Sequence, residues 1–369
     1  MTELEAKDRM SPLQLAVVVA TAMMAFNSST LLPLIADAGT AAWLSLLLSG
    51  FLLYGAVLVM VKLGDLFSGL TLVEYLPLIW GRWLGTAIIL LFCVLLLLYV
   101  SYMLQGFSRL ISFFMFDRTP YEVIEAGLLV VCVYCALQDW GTILRVVQVI
   151  FFTAGPLVVG FVGLATTSFH LINIMPLWPQ HIAGVFYGAW HAWGLFAGYE
   201  IILLLLPLVY RGNTRISAAL AGAFGFVTLF FIFIATLVIG TFTAESVTKI
   251  PIPMLSAIRA TDLPGTYLER LDHYYLLGWM QIHFAMLAVI LYVVAQVPTR
   301  YFGHIDHRPW VLALVPLLFV GADGLHSSRL FEAAGQTLAV LGWGFSLVII
   351  PVSYGLARWQ TRRKDGAND

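Results

Sequence analysis

Charge is what this chain has least of. Of its 369 residues only 11% are Asp, Glu, Lys or Arg, while 61% are hydrophobic, and the mean hydropathy is +0.92. A water-facing domain carries roughly 25% charged residues, so this composition excludes a soluble protein surface. An excess of one charge sign is missing too. The 19 basic and 20 acidic residues leave a net charge of −1, which offers no general attraction to nucleic acid or to anionic surfaces. Cysteine is scarce, with Cys93, Cys132 and Cys135 all inside apolar runs. Cys132 and Cys135 form a CxxC, but no second pair and no suitably spaced histidine accompanies them, so they read as small packing residues of a lipid-embedded helix. A catalytic triad, a metal-ligand set and a phosphate-binding loop are also lacking, so neither an enzyme nor a resident cofactor is expected. A cleavable signal is not expected either. The first ten residues are charged, and the apolar run from Pro12 is too long for a signal peptide.

Long apolar runs are what the chain has. A crossing helix needs about 20 mostly apolar residues. The runs predict about ten spans, at 12–36, 41–63, 83–113, 121–138, 141–168, 183–208, 214–242, 272–297, 309–324 and 333–356. The expected architecture is a single all-α transmembrane domain over residues 1–369 with short tails. Connections are short except 243–271, where Pro251, Pro253, Pro264 and several charges predict a surface loop with a short helix. Lys and Arg concentrate on the cytoplasmic side of membrane proteins. One side of the predicted topology carries Lys7, Arg9, Lys62, Arg82, Arg145, Arg211, Arg215, Arg300, Arg308, Arg358, Arg362, Arg363 and Lys364. The other carries Arg109, Arg118, Lys249, Arg259, Arg270 and Arg329. The bias places both termini in the cytoplasm.

Two spans contain breaks at matching positions of the two halves. Span 1 holds Phe26-Asn27-Ser28-Ser29-Thr30 followed by Pro33. Span 6 holds Gly194-Leu195-Phe196-Ala197-Gly198-Tyr199-Glu200 followed by Pro207. Each opens a block of five spans, about 12–168 and 183–356. Such paired interruptions point to a midplane binding site in an inverted-repeat transporter fold. Unwound backbone exposes N–H and C=O groups, and half-helix N-termini favour an anionic group such as a carboxylate. The competing reading is that Pro and Gly merely kink these helices for packing.

Around these residues the chain resembles the B subunit of bacterial spore germinant receptors, a branch of the amino-acid/polyamine/organocation permease superfamily. The likeness runs nearly end to end. It includes Ser11-Pro12-Leu13-Gln14, Leu32-Pro33, Glu74-Tyr75-Leu76 before Gly81-Arg82-Trp83-Leu84-Gly85, and Arg118-Thr119-Pro120. It continues with Gly198-Tyr199-Glu200 and Pro207, then Glu269-Arg270-Leu271-Asp272 and Trp279. The resemblance implies a LeuT-like 5+5 inverted repeat with broken helices 1 and 6, and residence in the spore inner membrane. It also implies an A subunit and a lipoprotein C subunit as partners, and sensing of a small nutrient, usually an amino acid. Many relatives carry a Gly-x-Gly at the first break. Phe26, Asn27 and Ser28 stand there instead, replacing close backbone approach with bulk and side-chain hydrogen-bonding groups.

The candidate ligand-binding residues are Phe26, Asn27, Ser28, Ser29, Tyr99, Tyr102, Ala197, Gly198, Glu200 and His283. An ionisable residue within a span is a functional hypothesis by default. Glu200 reads as a protonation site, a ligand contact or an acceptor tying down unwound backbone. Tyr99 and Tyr102 share one face of span 3, either in the site or in packing. His283 is either a ligand or proton contact or a satisfied core histidine, and His191, just before the second break, divides the same way. Trp190 and Trp193 read as an interfacial or packing pair. Gly184-x₃-Gly188 and Gly194-x₃-Gly198 read as sites of close helix packing. Arg109 and Arg118 are expected to pair with Asp117 or Glu122.

Transport and sensing remain the two competing functions. Sodium-coupled relatives of the implied fold use Ser or Thr of helix 8, and Asp272 to Val297 contains neither. Some proton-coupled relatives place a Lys in helix 5, and Gly141 to Ser168 has none. The missing coupling devices favour sensing without obligatory transport.

Overall fold

A computed structural model describes residues 9–25, 30–210, 215–261, 270–304 and 306–365. Ten helical spans follow one another in the predicted order. Span 1 is Pro12–Met24 with Leu31–Ala38, span 2 Ala42–Leu66, span 3 Arg82–Phe114, span 4 Tyr121–Ala136 and span 5 Trp140–Leu164. Span 6 is the pair Ile182–Phe196 and Tyr199–Leu208, bent by 59° at the break between them. Span 7 is Ile216–Phe242, span 8 Leu271–Tyr301 and span 9 Arg308–Asp323. Span 10 runs from Ser328–Gly344 through a π-helical stretch, Phe345–Ile349, into Ile350–Asp365.

Length and apolarity alone mark six of the described helical runs as able to cross a bilayer, or seven with the bent pair. One of the six, Leu31–Leu66, joins the second half of span 1 to span 2 through the 3-10 turn Gly39–Ala41. Spans 4 and 9 have 16 residues each and are too short to qualify. The ten-span reading therefore rests on the order and packing of the helices as well as on their length.

Several sequence motifs prove to be helix starts. Ser11 Oγ accepts from the Gln14 N–H at 3.2 Å while Gln14 Oε1 accepts from the Ser11 N–H at 2.8 Å, with Pro12 in the first turn. That reciprocal cap satisfies donors that a helix start leaves open. Glu74 Oε2 likewise accepts from the Thr71 N–H at 2.6 Å and from its hydroxyl at 2.7 Å, starting the short helix Leu72–Trp80 before span 3.

Span 8 is the most enclosed element, with every side chain from Ala285 to Ala295 buried. It packs on spans 5, 1 and 3, while span 7 packs on spans 1 and 2. It also runs further than predicted, to Tyr301. The extra turn contains Thr299, whose hydroxyl donates back to the Ala295 carbonyl at 2.7 Å. A second bond set joins the broken spans at the face bearing the chain ends. Met10 N donates to Leu208 O at 2.9 Å and Tyr210 N to Met10 O at 2.7 Å, a parallel bridge from the start of span 1 to the end of span 6.

The connection between spans 7 and 8 contains the expected short helix and a further helical turn, but it is packed inward rather than lying on the surface. Ala244–Val247 and Pro253–Arg259 are helices, and Val247, Met254, Leu255 and Ile258 are buried. Pro253 sits in the first turn, where its missing N–H costs nothing, and the apolar residues that follow return to one face. Residues 262–269 of this connection lie outside the described residues.

Candidate functional site

The break in span 6 is built by glycine. Gly198 has φ +107°, a left-handed conformation that side chains with a Cβ rarely adopt. A Cβ there would also stand 3.2 Å from Ala22 Cβ of span 1. The backbone groups freed by the break find side chains. Tyr99 of span 3 donates its hydroxyl to the Ala197 carbonyl at 3.0 Å. Glu200 Oε2 accepts the Gly198 N–H at 2.9 Å, while Glu200 Oε1 has no partner among the described residues. Tyr99, Ala197, Gly198 and Glu200 are thus brought together, all buried, with Met286 of span 8 against Gly198.

His283 lies beside this group. Its Nε2 is within hydrogen-bonding distance of the Met103 carbonyl, 3.1 Å, and its ring packs on Trp279 and Phe107. Phe26, Asn27, Ser28 and Ser29, the predicted residues of the first break, lie outside the described residues.

Near the breaks, on the face opposite the chain ends, is a cavity of about 930 Å³. Span 1 lines it with Thr30, Leu32 and Pro33, span 3 with Tyr102, Arg109 and Phe113, and span 6 with Trp190, His191 and Gly194. Span 10 adds Phe331, Glu332 and Gln336, and Pro251 and Ile252 come from the helical connection after span 7. An aromatic and aliphatic wall carrying a few charged and amide groups is the usual make-up of a small-molecule site. Of the candidate residues that are described, Tyr102 and His191 line this cavity. Tyr99 is one turn further into span 3, and it, Ala197, Gly198, Glu200 and His283 are not part of the lining. Span 10, absent from the sequence-based site, supplies much of the wall.

Charged and aromatic side chains tie the wall together. His191 Nε2 lies 3.3 Å from Asp37 Oδ2, joining spans 6 and 1. Tyr102 stacks on Phe331 with centroids 4.3 Å apart. Arg109 corrects its predicted pairing: it bonds neither Asp117 nor Glu122, and its Nη2 donates to the carbonyls of Leu325 and His326 at 3.0 and 2.7 Å. Trp190 and Trp193 each engage span 10. Trp190 stacks on Trp343, whose Nε1 donates to the Trp190 carbonyl at 2.8 Å, and the Trp193 ring lies on Gly342. Gly184 and Gly188 let span 6 approach spans 1 and 2, since a Cβ at Gly184 would meet Asp37 O at 2.2 Å. Cys132 and Cys135 are buried and free, and Cys93 is partly buried and free. Elsewhere, Glu122, Asp323 and His326 bring ligand-type atoms within 4.8 Å of one another, all on exposed side chains.

Residues 9–325 match the family described as spore germination protein, the spore permeases. Spore germination protein YndE of Bacillus subtilis (strain 168) is 26% identical over 284 residues, 75% of this chain and 76% of that protein. Spore germination protein B2 of the same organism is 24% identical over 292 residues, 77% of each chain. Spore germination protein A2 is 23% identical over 265 residues, 71% of each. Among solved structures, the crystal structure of MhsT in complex with L-phenylalanine matches with a TM-score of 0.65. That match covers 94% of this chain and 98% of the other at 13% identity. Identity so low shows the fold alone, and the fold is the LeuT-like one expected from the resemblance.

Proposed function

We propose a nutrient-sensing role for this chain, which belongs to the spore germination permease family. In this reading it is the membrane-embedded subunit of a germinant receptor in the inner membrane of the spore. A small germinant, an amino acid in the simplest case, occupies the cavity. Partner subunits of the A type and the lipoprotein C type read out the change. The observation that carries the proposal is the cavity itself. It sits at the broken spans of a transporter fold and is walled by Tyr102, Phe331 and Trp190 with Arg109, His191 and Glu332 among them. Aromatic faces suit an apolar side chain, and the charged groups suit the amino and carboxylate ends of a zwitterion.

Ligand binding shifts such a bundle between two arrangements only through its differential affinity for them. In this reading the chain ends are cytoplasmic, which the positive-inside bias supports, and the germinant reaches the cavity, on the opposite face, from outside the inner membrane. No catalytic step is required.

The second reading is a secondary amino-acid permease, coupled to protons or facilitative, and the fold shared with MhsT favours it. The two separate in one experiment. The gene is deleted in its native host, and dipicolinate release is followed against amino acids, sugars and nucleosides. Loss of response to one nutrient, with a receptor-independent trigger still effective, is the expected result. Normal germination together with lost solute uptake by growing cells makes the chain a permease instead.

A further inference from the structure

Glu125, on span 4, is fully buried. A carboxylate inside a bilayer-spanning bundle is costly unless it is compensated. Its Oε1 accepts a hydrogen bond from the Ser108 hydroxyl at 2.9 Å, and its Oε2 has no hydrogen-bond partner among the described residues. The amide of Gln105, also fully buried, stands between Glu125 and Arg109. Its orientation follows from its neighbours. The nitrogen donates to Glu125 Oε1 at 2.6 Å and to the Ala322 carbonyl of span 9 at 2.9 Å, and the oxygen accepts from Arg109 Nε at 3.2 Å. The amide therefore presents its nitrogen to the Glu125 carboxyl and its oxygen to the Arg109 guanidinium.

The far end of Arg109 holds span 10. Its Nη2 bonds the Leu325 and His326 carbonyls in the turn from span 9. Its guanidinium lies over the Phe331 ring at 4.5 Å, and Phe331 stacks on Tyr102. Phe331 is thus gripped by two residues of span 3 at the cavity wall. We propose that Glu125 is a positioning residue for the cavity. Acting through Gln105, it fixes Arg109 against the span 9–span 10 turn and Phe331. This latch keeps the first half of span 10 in its ligand-binding position. A wall held ready in advance lowers the cost of binding. The link to a nutrient rests on the germinant reading above, whereas the latch itself does not.

The test uses the full chain and two measurements. For the latch, Ala339→Cys places a thiol on the cavity lining in a chain whose Cys93, Cys132 and Cys135 are replaced by Ala. A membrane-impermeant thiosulfonate then labels the purified protein in lipid nanodiscs. Glu125→Gln and Arg109→Gln each speed labelling at least about fivefold, the lower end of ordinary coupling between sites. The double variant is no faster than Arg109→Gln alone, because Glu125 acts through that residue. Unchanged labelling in Glu125→Gln, or effects that multiply in the double variant, overturns the proposal. Gln105→Met removes the bridge while leaving Glu125 and Arg109 in place, and it substitutes for Glu125→Gln if that variant accumulates poorly. For the nutrient, spores carrying Glu125→Gln at wild-type abundance need at least about fivefold more germinant for half-maximal dipicolinate release, at an unchanged maximal rate. Faster labelling with unaltered germinant sensitivity keeps the latch and removes the germinant reading.

Discussion

Tyr199 and Ser346 share a buried side-chain hydrogen bond although they lie 147 positions apart. Tyr199 is the first residue after the break in span 6, and Ser346 lies in the π-helical stretch of span 10. Such stretches often occur at functional sites. Here the widened turn belongs to the same contact that receives the span 6 break. Tyr199→Phe leaves a buried hydroxyl short of a partner and should cost about 1–2 kcal/mol. Adding Ser346→Ala should cost less than the two single changes together. Unfolding of the purified protein in nanodiscs measures both, and full additivity would show that the bond contributes nothing.

Span 10 depends on span 6 at a second point. A Cβ on Gly342 would stand 2.0 Å from the Trp193 ring, and that ring is buried. Gly342→Ala should therefore destabilise by about 1–3 kcal/mol, the usual range for overpacking. Truncating the ring in the same chain, as Gly342→Ala with Trp193→Phe, should recover part of the loss. The same unfolding measurement reports it.

Gly198→Ala combines a disfavoured left-handed backbone with contact on Ala22. Strain of that kind alone costs about 1–3 kcal/mol. The variant should reach the membrane at reduced level and respond poorly to ligand at any concentration. Membrane abundance by immunoblot, beside the dose response, checks the prediction. Wild-type behaviour in both would mean that the break does not need this conformation.

Glu200 accepts the Gly198 N–H through one oxygen. Glu200→Gln retains an acceptor there, whereas Glu200→Ala removes it and leaves a buried N–H unpaired, at about 1–3 kcal/mol. If Glu200 serves the broken backbone, Gln behaves like wild type and Ala does not. Equal loss of nutrient response in both variants, at normal abundance, instead makes the negative charge or its proton the essential property.

The break in span 6 is legible in the sequence because its cause is local: Gly198 marks it, and the acceptor for its freed N–H is two residues away. The start of span 10 is legible as well: Ser327 Oγ caps it by accepting from the Leu330 N–H at 3.2 Å. The predicted start at 333 passes over that cap because hydropathy is low in its first turn. The cavity wall is a different matter. Tyr102, Trp190 and Phe331 meet from spans 3, 6 and 10, and nothing local in any one span says which faces will converge. Glu125 carries a signal, an acid inside an apolar run, but its route to Arg109 passes through Gln105 of span 3, which no local pattern in span 4 indicates. The short helix after span 7 is legible, but its burial is not, because its prolines and charges read as a surface segment while Val247, Met254, Leu255 and Ile258 pack inward.

Spans 4 and 9 have a consequence beyond the cavity. At about 1.5 Å per residue, their 16 residues reach roughly 24 Å, against a hydrocarbon core of about 30 Å. They pack on one another and turn Val130, Tyr134, Leu317 and Val320 outward, so the mismatch falls on one flank. Lipid along that flank must thin, or the flanking chain must stretch to cover the gap, at a modest cost for each ångström. The Arg109 anchor at Leu325 and His326 lies at the end of that flank. The short flank and the fastening of the cavity wall thus lie on the same side of the protein.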